Sequence, residues 1–315
     1  MTRIDLITGF LGAGKTEFLK RYARFLMAQG EKICILENDF GAINVDMILL
    51  HDLQEEGCDL EMIIGGDGAE AHRRRFKTKL IAMGMKGYDR VLIEPSGIFD
   101  MDEFFDVLYE EPLDVWYQVG NIFAIVDAGL EENISEASEY LLASEAADAG
   151  KVIFSKCQET DAGQIRDTLM HLNRALEKFQ CSRRFRLENI LTKNWDELTE
   201  ADFQKLRRCE YVHADLVKMP LKLEEAYETQ FVMGVKISGE ELEDKCRHLL
   251  TDERFGHIFR IKGFIPDHGA WLSVNATREK LQTESISAGQ EVLIMIGEHL
   301  DRTRIEEYWK QGAVK

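Results

Sequence analysis

The residues Gly9-Phe10-Leu11-Gly12-Ala13-Gly14-Lys15-Thr16 fit the pattern G-x-x-x-x-G-K-[ST] in full. Each position has a chemical use in holding a polyphosphate. Gly9, Gly12 and Gly14, with the small Ala13 among them, let the backbone curl until its N–H groups converge on phosphate oxygens. Lys15 reaches the β- and γ-phosphates, and the Thr16 hydroxyl is placed to ligate Mg²⁺. A helix opening at Lys15, with Glu17 in its first turn, adds the positive end of its dipole. The loop follows an apolar run, Ile4–Thr8, and precedes an amphipathic one, which is the context it requires.

A second acid–glycine pair stands downstream. Arg90–Ile93 is an apolar run that ends in Glu94, with Gly97 three residues later. Beside a phosphate loop, an acid at a strand's carboxyl end holds Mg²⁺ or orients water, and a nearby glycine N–H senses the γ-phosphate. Lys15 and Glu94 are therefore the expected catalytic pair. Between the two motifs lies Glu37-Asn38-Asp39-Phe40-Gly41, with Asp46 beyond. A nucleotide-sensitive loop belongs there, with Asp39 and Asp46 as Mg²⁺-side carboxylates beside Thr16 and Glu94; a solvated turn is the plain alternative.

Strands and helices must alternate to present these groups on one edge. Ile4–Thr8, Lys32–Leu36, Arg90–Ile93, Asn121–Val126 and Lys151–Phe154 read as strands. Lys15–Ala28, His72–Met83, Asp100–Tyr109, Ser135–Ala147 and Ala162–Phe179 read as helices, the first carrying Phe18, Leu19, Tyr22, Phe25 and Leu26 as one apolar stripe. That alternation implies a mainly parallel sheet covered by helices. After about Glu188 the pattern changes. Asn194–Arg208 is polar with one helix. Then come a strand at Gln230–Lys236, a helix at Glu240–Leu250, three or four strands between His257 and Ile296, and a helix from Arg302. The expected organisation is a nucleotide-binding domain over 1–190, a connecting segment over 191–228 and a small α+β domain over 229–315.

The 315 residues carry a net charge of −18, so most of the surface repels a nucleic-acid backbone. Six scattered cysteines without a CxxC spacing suit reduced thiols in the cytoplasm. The apolar runs are strand-length, which argues against a membrane span, and the first residues do not resemble a signal peptide. His72-Arg73-Arg74-Arg75-Phe76-Lys77-Thr78-Lys79 is a basic run in this acidic chain. It reads as a solvated helix face, as a contact for an acidic partner or the chain's own Asp100–Asp114, or as a phosphate contact. Phe104, Phe105, Tyr109, Trp116 and Tyr117 read as core.

Taken together these motifs resemble the CobW-type metallochaperone family of P-loop GTPases, relatives of HypB and UreG. The resemblance rests on Gly9–Thr16, Glu37–Gly41, Asp46, Glu94–Gly97 and Val126-Asp127-Ala128, and more loosely on Arg260-Ile261-Lys262-Gly263-Phe264 and Ile296-Gly297. It implies Mg²⁺ and GTP as cofactors, slow hydrolysis used as a switch, and a client protein in metal delivery or metalloenzyme maturation. Two departures stand out. Where the family usually has Cys-x-Cys-Cys, this chain has Gly65-Gly66-Asp67-Gly68-Ala69-Glu70, leaving Cys58, Asp67, Glu70 and His72 as the nearest donors. Where the family has N-K-x-D to read guanine, this chain has Ser155-Lys156-Cys157-Gln158. Lys156 can still pack on a base, but Gln158 offers one acceptor and one donor group where aspartate offers two acceptors. ATP use therefore stays open beside GTP. Two other functions also stay open: a non-hydrolysing nucleotide-binding scaffold, and a P-loop kinase for a small molecule.

Overall fold

The computed structural model describes residues 1–39, 50–64, 69–97, 99, 101–219, 226–267, 269–278, 280–286 and 289–310. The chain divides into two compact units, Met1–Pro220 and Leu221–Lys315. Among the described residues no helix is long and apolar enough to cross a membrane.

The first unit is built on six strands: β1 (Thr2–Thr8), β2 (Ile33–Asp39), β3 (Asp59–Ile64), β4 (Arg90–Pro95), β5 (Tyr117–Asp127) and β6 (Lys151–Ser155). They lie in the order β3-β2-β4-β1-β5-β6, and every neighbouring pair is parallel. Helix α1 (Lys15–Ala28) buries Phe18, Leu19, Tyr22, Phe25 and Leu26 against one face of this sheet, the spacing of a single helical stripe. Gly30, with φ of 82°, turns the chain away after it. The helix Ala162–Lys178 starts on a capping box between Asp161 and Gln164.

One buried network fixes the amino ends of the three central strands. Arg90 of β4 donates from Nη1 to both Asp5 oxygens of β1, at 2.6 and 2.8 Å. Tyr22 of α1 donates to the same carboxylate at 2.8 Å, and the Asn121 backbone N–H of β5 does so at 2.8 Å. Asp5 is fully buried, so its charge needs all of these partners. The network ties β1, β4 and β5 together where the β1–β5 register shifts between Ile4 and Leu6, and their far ends carry the phosphate loop, Glu94 and Asp127.

Two features differ from expectation. β3 has no clear signal in the sequence, because Asp-Leu-Glu-Met-Ile-Ile mixes charge with apolar residues in an edge strand. Much of the segment 191–228, read as a connection, falls within the first unit. Leu191 pairs with Ile153 alongside β6, and Phe203 stacks on Phe25 with ring centroids 5.4 Å apart. The helix that was expected there is Glu200–Leu206, capped by Thr199.

The second unit is an antiparallel sheet of β7 (Glu228–Val232), β8 (His257–Asp267), β9 (Ala270–Ala276), β10 (Leu281–Ile286) and β11 (Val292–Glu298), in the order β10-β9-β8-β11-β7. The helices Gly239–Thr251 and Arg302–Lys310 cover one face. Leu242, Cys246, Leu249, Ile305 and Trp309 meet Ile258, Ile261, Leu293 and Met295 there. This is the α+β architecture expected of the second half.

Candidate functional site

The loop Gly9–Thr16 leaves the carboxyl end of β1 at the centre of the sheet, between β4 and β5. Gly9 has φ of 147°, and a Cβ there would lie 2.2 Å from the Ile125 carbonyl oxygen. Only glycine fits. The Ala13 N–H closes a turn on the Phe10 carbonyl at 3.1 Å. Gly14 caps α1 in the left-handed region and, being glycine, offers no side chain to the first-turn amides. Those amides remain directed at the loop, where an anion is favoured.

Lys15 is buried, and its Nζ donates to the Gly9 carbonyl at 2.7 Å. The Thr16 hydroxyl donates to Glu94 Oε1 at 2.9 Å, so the two motifs meet although 78 residues separate them. Glu94 lies at the end of β4 and is buried; Glu37 of β2 is its partner in register and is buried as well. A Cβ on Gly97 would come within 2.7 Å of the Leu11 backbone nitrogen, which puts this glycine against the loop itself. Glu17 turns outward, accepting from Arg21 Nε at 2.9 Å, so that its backbone is what adjoins the loop. Asp39 is the last residue of β2, and Asp46 lies outside the described residues.

At the other flank, Ser155 ends β6 with its hydroxyl donating to the Val126 carbonyl at 3.3 Å. Lys156 takes a left-handed φ of 54° and pairs with Asp127 at 2.5 Å. Gln158 is exposed and donates to Glu159 at 3.2 Å. The edge segment after Leu191 arrives at the same end of the sheet. Trp195 follows it, with its ring against Phe18 at 6.1 Å between centroids and within 2.9 Å of where a Gly14 Cβ would be.

Residues 65–68 lie outside the described residues. Cys58 packs in the core beneath α1, and burial pushes its thiol up to about 12. That makes it a poor thiolate ligand. His72 is buried with Nδ1 3.6 Å from Glu103, and Glu70 is exposed. Among the described residues no three His, Cys, Asp or Glu side chains converge as a metal site. The basic run is engaged by the chain's own acids: Arg73 and Lys77 both reach Glu110 at 2.5 Å, and Lys79 reaches Glu61 at 2.9 Å.

Sequence reasoning passed over Glu145. It sits on the helix Glu136–Ala147, whose last turns are otherwise small and apolar, and it is only 2% exposed. Its Oε1 is buried without a hydrogen-bond partner among the described residues, as is Thr8 Oγ1. Burial pushes the Glu145 carboxyl up to about 8, outweighing the contrary pull of Lys15, Thr8 and Gly9. A lone acid inside Leu-Leu-Ala-Ser-Glu-Ala-Ala was the available signal.

A central parallel sheet with a glycine-rich loop between its first strand and helix defines a P-loop nucleotide-binding protein. Residues 3–185 match the CobW/HypB/UreG nucleotide-binding domain, and the chain belongs to that family. It is 31% identical over 164 residues to the zinc chaperone YeiR of Escherichia coli, covering 51% of this chain and 48% of that one. It is 25% identical over 179 residues to the zinc chaperone YjiA of the same organism, covering 54% of each. The chain thus spans about half the length of the relatives it matches. The crystal structure of Zn(II)-bound YjiA GTPase aligns over 100% of this chain and 99% of that one, at 17% identity and a TM-score of 0.38.

Proposed function

We propose that this chain binds a nucleoside triphosphate, GTP or ATP, with Mg²⁺, hydrolyses it slowly, and uses the change to deliver a metal ion or an activating signal to a client protein. The supporting observation is the meeting of Lys15, Thr16 and Glu94 at one mouth of the sheet. Lys15 grips the β- and γ-phosphates, Glu94 orients the attacking water, and the Gly97 N–H follows the γ-phosphate. Ser155, Lys156 and Gln158 flank the base.

The donors present fit Mg²⁺. Thr16 hydroxyl, Glu94 carboxylate and the adjacent Glu37 form an all-oxygen set, which a hard cation favours over a soft one. Asp39 and Asp46 are the further carboxylates that the sequence offers for this ion. Mg²⁺ bound there would offset phosphate charge.

The cargo follows from the relatives, which are zinc chaperones by name. In this chain Gly65–Glu70 holds no cysteine, so a cargo ion would meet Asp67, Glu70 and His72 rather than thiolates. Metal delivery is the kind of work proposed.

The test is Lys15→Ala with binding and phosphate release measured on Mg·GTP. A folded variant that loses triphosphate binding supports the assignment. Unchanged affinity in that variant overturns it.

A further inference from the structure

We propose that Trp195 is the platform for the nucleoside half of the bound nucleotide, an aromatic surface that takes any purine and so adds affinity without choosing the base. This deepens the proposed function and rests on Gly9–Thr16 being the phosphate site. Two stretches of chain run side by side to this flank. β6 leads through Ile153 to Ser155–Gln158, the segment proposed above to flank the base. Leu191 pairs parallel with Ile153, the Phe154 N–H donating to the Leu191 carbonyl at 2.8 Å, and Trp195 follows at the same end of the sheet.

Trp195 is firmly held there. It opens the single turn Trp195–Glu197, capped by Asn194, whose side chain accepts from the Asp196 N–H at 3.2 Å. Arg21 of α1 donates to the Trp195 carbonyl at 3.2 Å and to Asp196 at 2.8 Å. The benzene edge of the indole lies against Gly14, where a Cβ would come within 2.9 Å of Cη2. Gly14 is the residue on which α1 starts, so the indole adjoins the turn whose amides face phosphate in the proposed complex.

Core packing alone does not account for a tryptophan here. The ring meets Phe18 edge-on at 6.1 Å between centroids, a contact that a phenyl ring could also make. Nε1 is buried with no hydrogen-bond partner among the described residues, a cost that phenylalanine would avoid. Yet Trp195 as a whole is only partly buried. An indole offers a broad flat surface, and a nucleobase stacks on one whatever hydrogen-bonding edge it carries.

The test compares wild type, Trp195→Ala and Trp195→Phe with Mg·GTP, Mg·ATP and Mg·tripolyphosphate as probes. Losing one base–aromatic stack typically weakens binding roughly ten- to a hundred-fold. Trp195→Ala is expected to lose that much for GTP and ATP alike, with Trp195→Phe between it and wild type. Tripolyphosphate affinity should hold, because that probe has no base to stack. Equal weakening of all three probes would make Trp195 a packing residue of α1 and overturn the proposal. Unchanged nucleotide affinity, or a loss confined to one base, overturns it too. Wild type that binds neither nucleotide nor tripolyphosphate instead overturns the phosphate-loop assignment, and the platform with it. Should Trp195→Ala not fold, tryptophan emission decides between wild type and Trp195→Phe: either nucleotide is expected to change the former and far less the latter. A response that survives Trp195→Phe comes from Trp116, Trp271 or Trp309 and overturns the proposal, as does no response in wild type.

Discussion

Gly97 lies so close to Leu11 that a Cβ on it would sit 2.7 Å from the Leu11 nitrogen and 3.0 Å from its Cα. The contact is backbone against backbone, so no flexible side chain can yield. It couples the second residue after β4 to the middle of the phosphate loop.

Gly97→Ala is therefore expected to push the two segments apart. Overpacking of this kind typically costs ~1–3 kcal/mol. The loss should fall on triphosphate more than on diphosphate, because the displaced N–H faces the γ-position in the proposed complex. Affinities for GTP and GDP measured on both proteins decide it. Equal weakening of both nucleotides would place Gly97 in general loop packing.

Glu94→Gln separates binding from turnover. The amide keeps the size of the side chain and can still accept from Thr16, whose bond to Oε1 is 2.9 Å. Groups that orient or deprotonate water contribute roughly 10²–10⁴-fold to rate. Single-turnover hydrolysis should fall by roughly 10²-fold or more while GTP affinity changes far less. Equal losses in both would assign Glu94 to ground-state binding.

The phosphate-side motifs stood out in the sequence more plainly than some elements of the scaffold did. Gly9–Thr16 and Glu94–Gly97 were legible because backbone geometry and charge leave few residue choices there, and the structure brings Thr16 onto Glu94. β3 was not legible, since an edge strand with one polar face lacks the apolar run that marks β4. Residues 191–228 read as a connection for a similar reason. Their polar composition conceals Leu191, Trp195 and Phe203, three residues spaced too irregularly for a period to show. Glu145 was hidden differently: nothing in its sequence neighbours says that folding buries it, with only 2% of it exposed.

Arg90→Ala should destabilise the first unit without touching the phosphate loop. Asp5 would be left buried without its guanidinium, and removing one partner of a buried pair typically costs ~3–5 kcal/mol. Urea unfolding measures it. A loss below about 1 kcal/mol, the scale of a surface ion pair, would show the network to be dispensable.

Stability should also carry the mark of Glu145. The folded protein holds its proton up to about pH 8, whereas an unfolded glutamate releases it near 4.5. Between those values the folded state binds the extra proton, so stability falls as pH rises, by up to about 1.4 kcal/mol per unit. The fall is complete once pH passes about 8. Glu145→Gln removes this contribution, and the difference between the two proteins' unfolding free energies at pH 5 and 8 reads it. No difference in slope would mean that Glu145 is ionised throughout.

Base choice is the sharpest test of the nucleotide flank. Lys156 is tied to Asp127 at 2.5 Å, and exposed Gln158 donates to Glu159 at 3.2 Å. An aspartate at 158 would accept from both N1–H and the exocyclic amine of guanine, whereas the Gln158 amide presents a single acceptor. One charge-assisted hydrogen bond is worth ~1.5–3 kcal/mol, or roughly ten- to a hundred-fold in affinity. GTP is thus expected to be preferred over ATP by about a hundred-fold or less, with Gln158→Asp sharpening that preference. Competition titrations of GTP against ATP on both proteins measure it. A strong native preference for guanine that Gln158→Asp leaves unchanged would move base reading to the chain after Leu191. That segment runs beside β6 through the Ile153 pairing and leads into Trp195, against Gly14, so its backbone is already at the right end of the sheet.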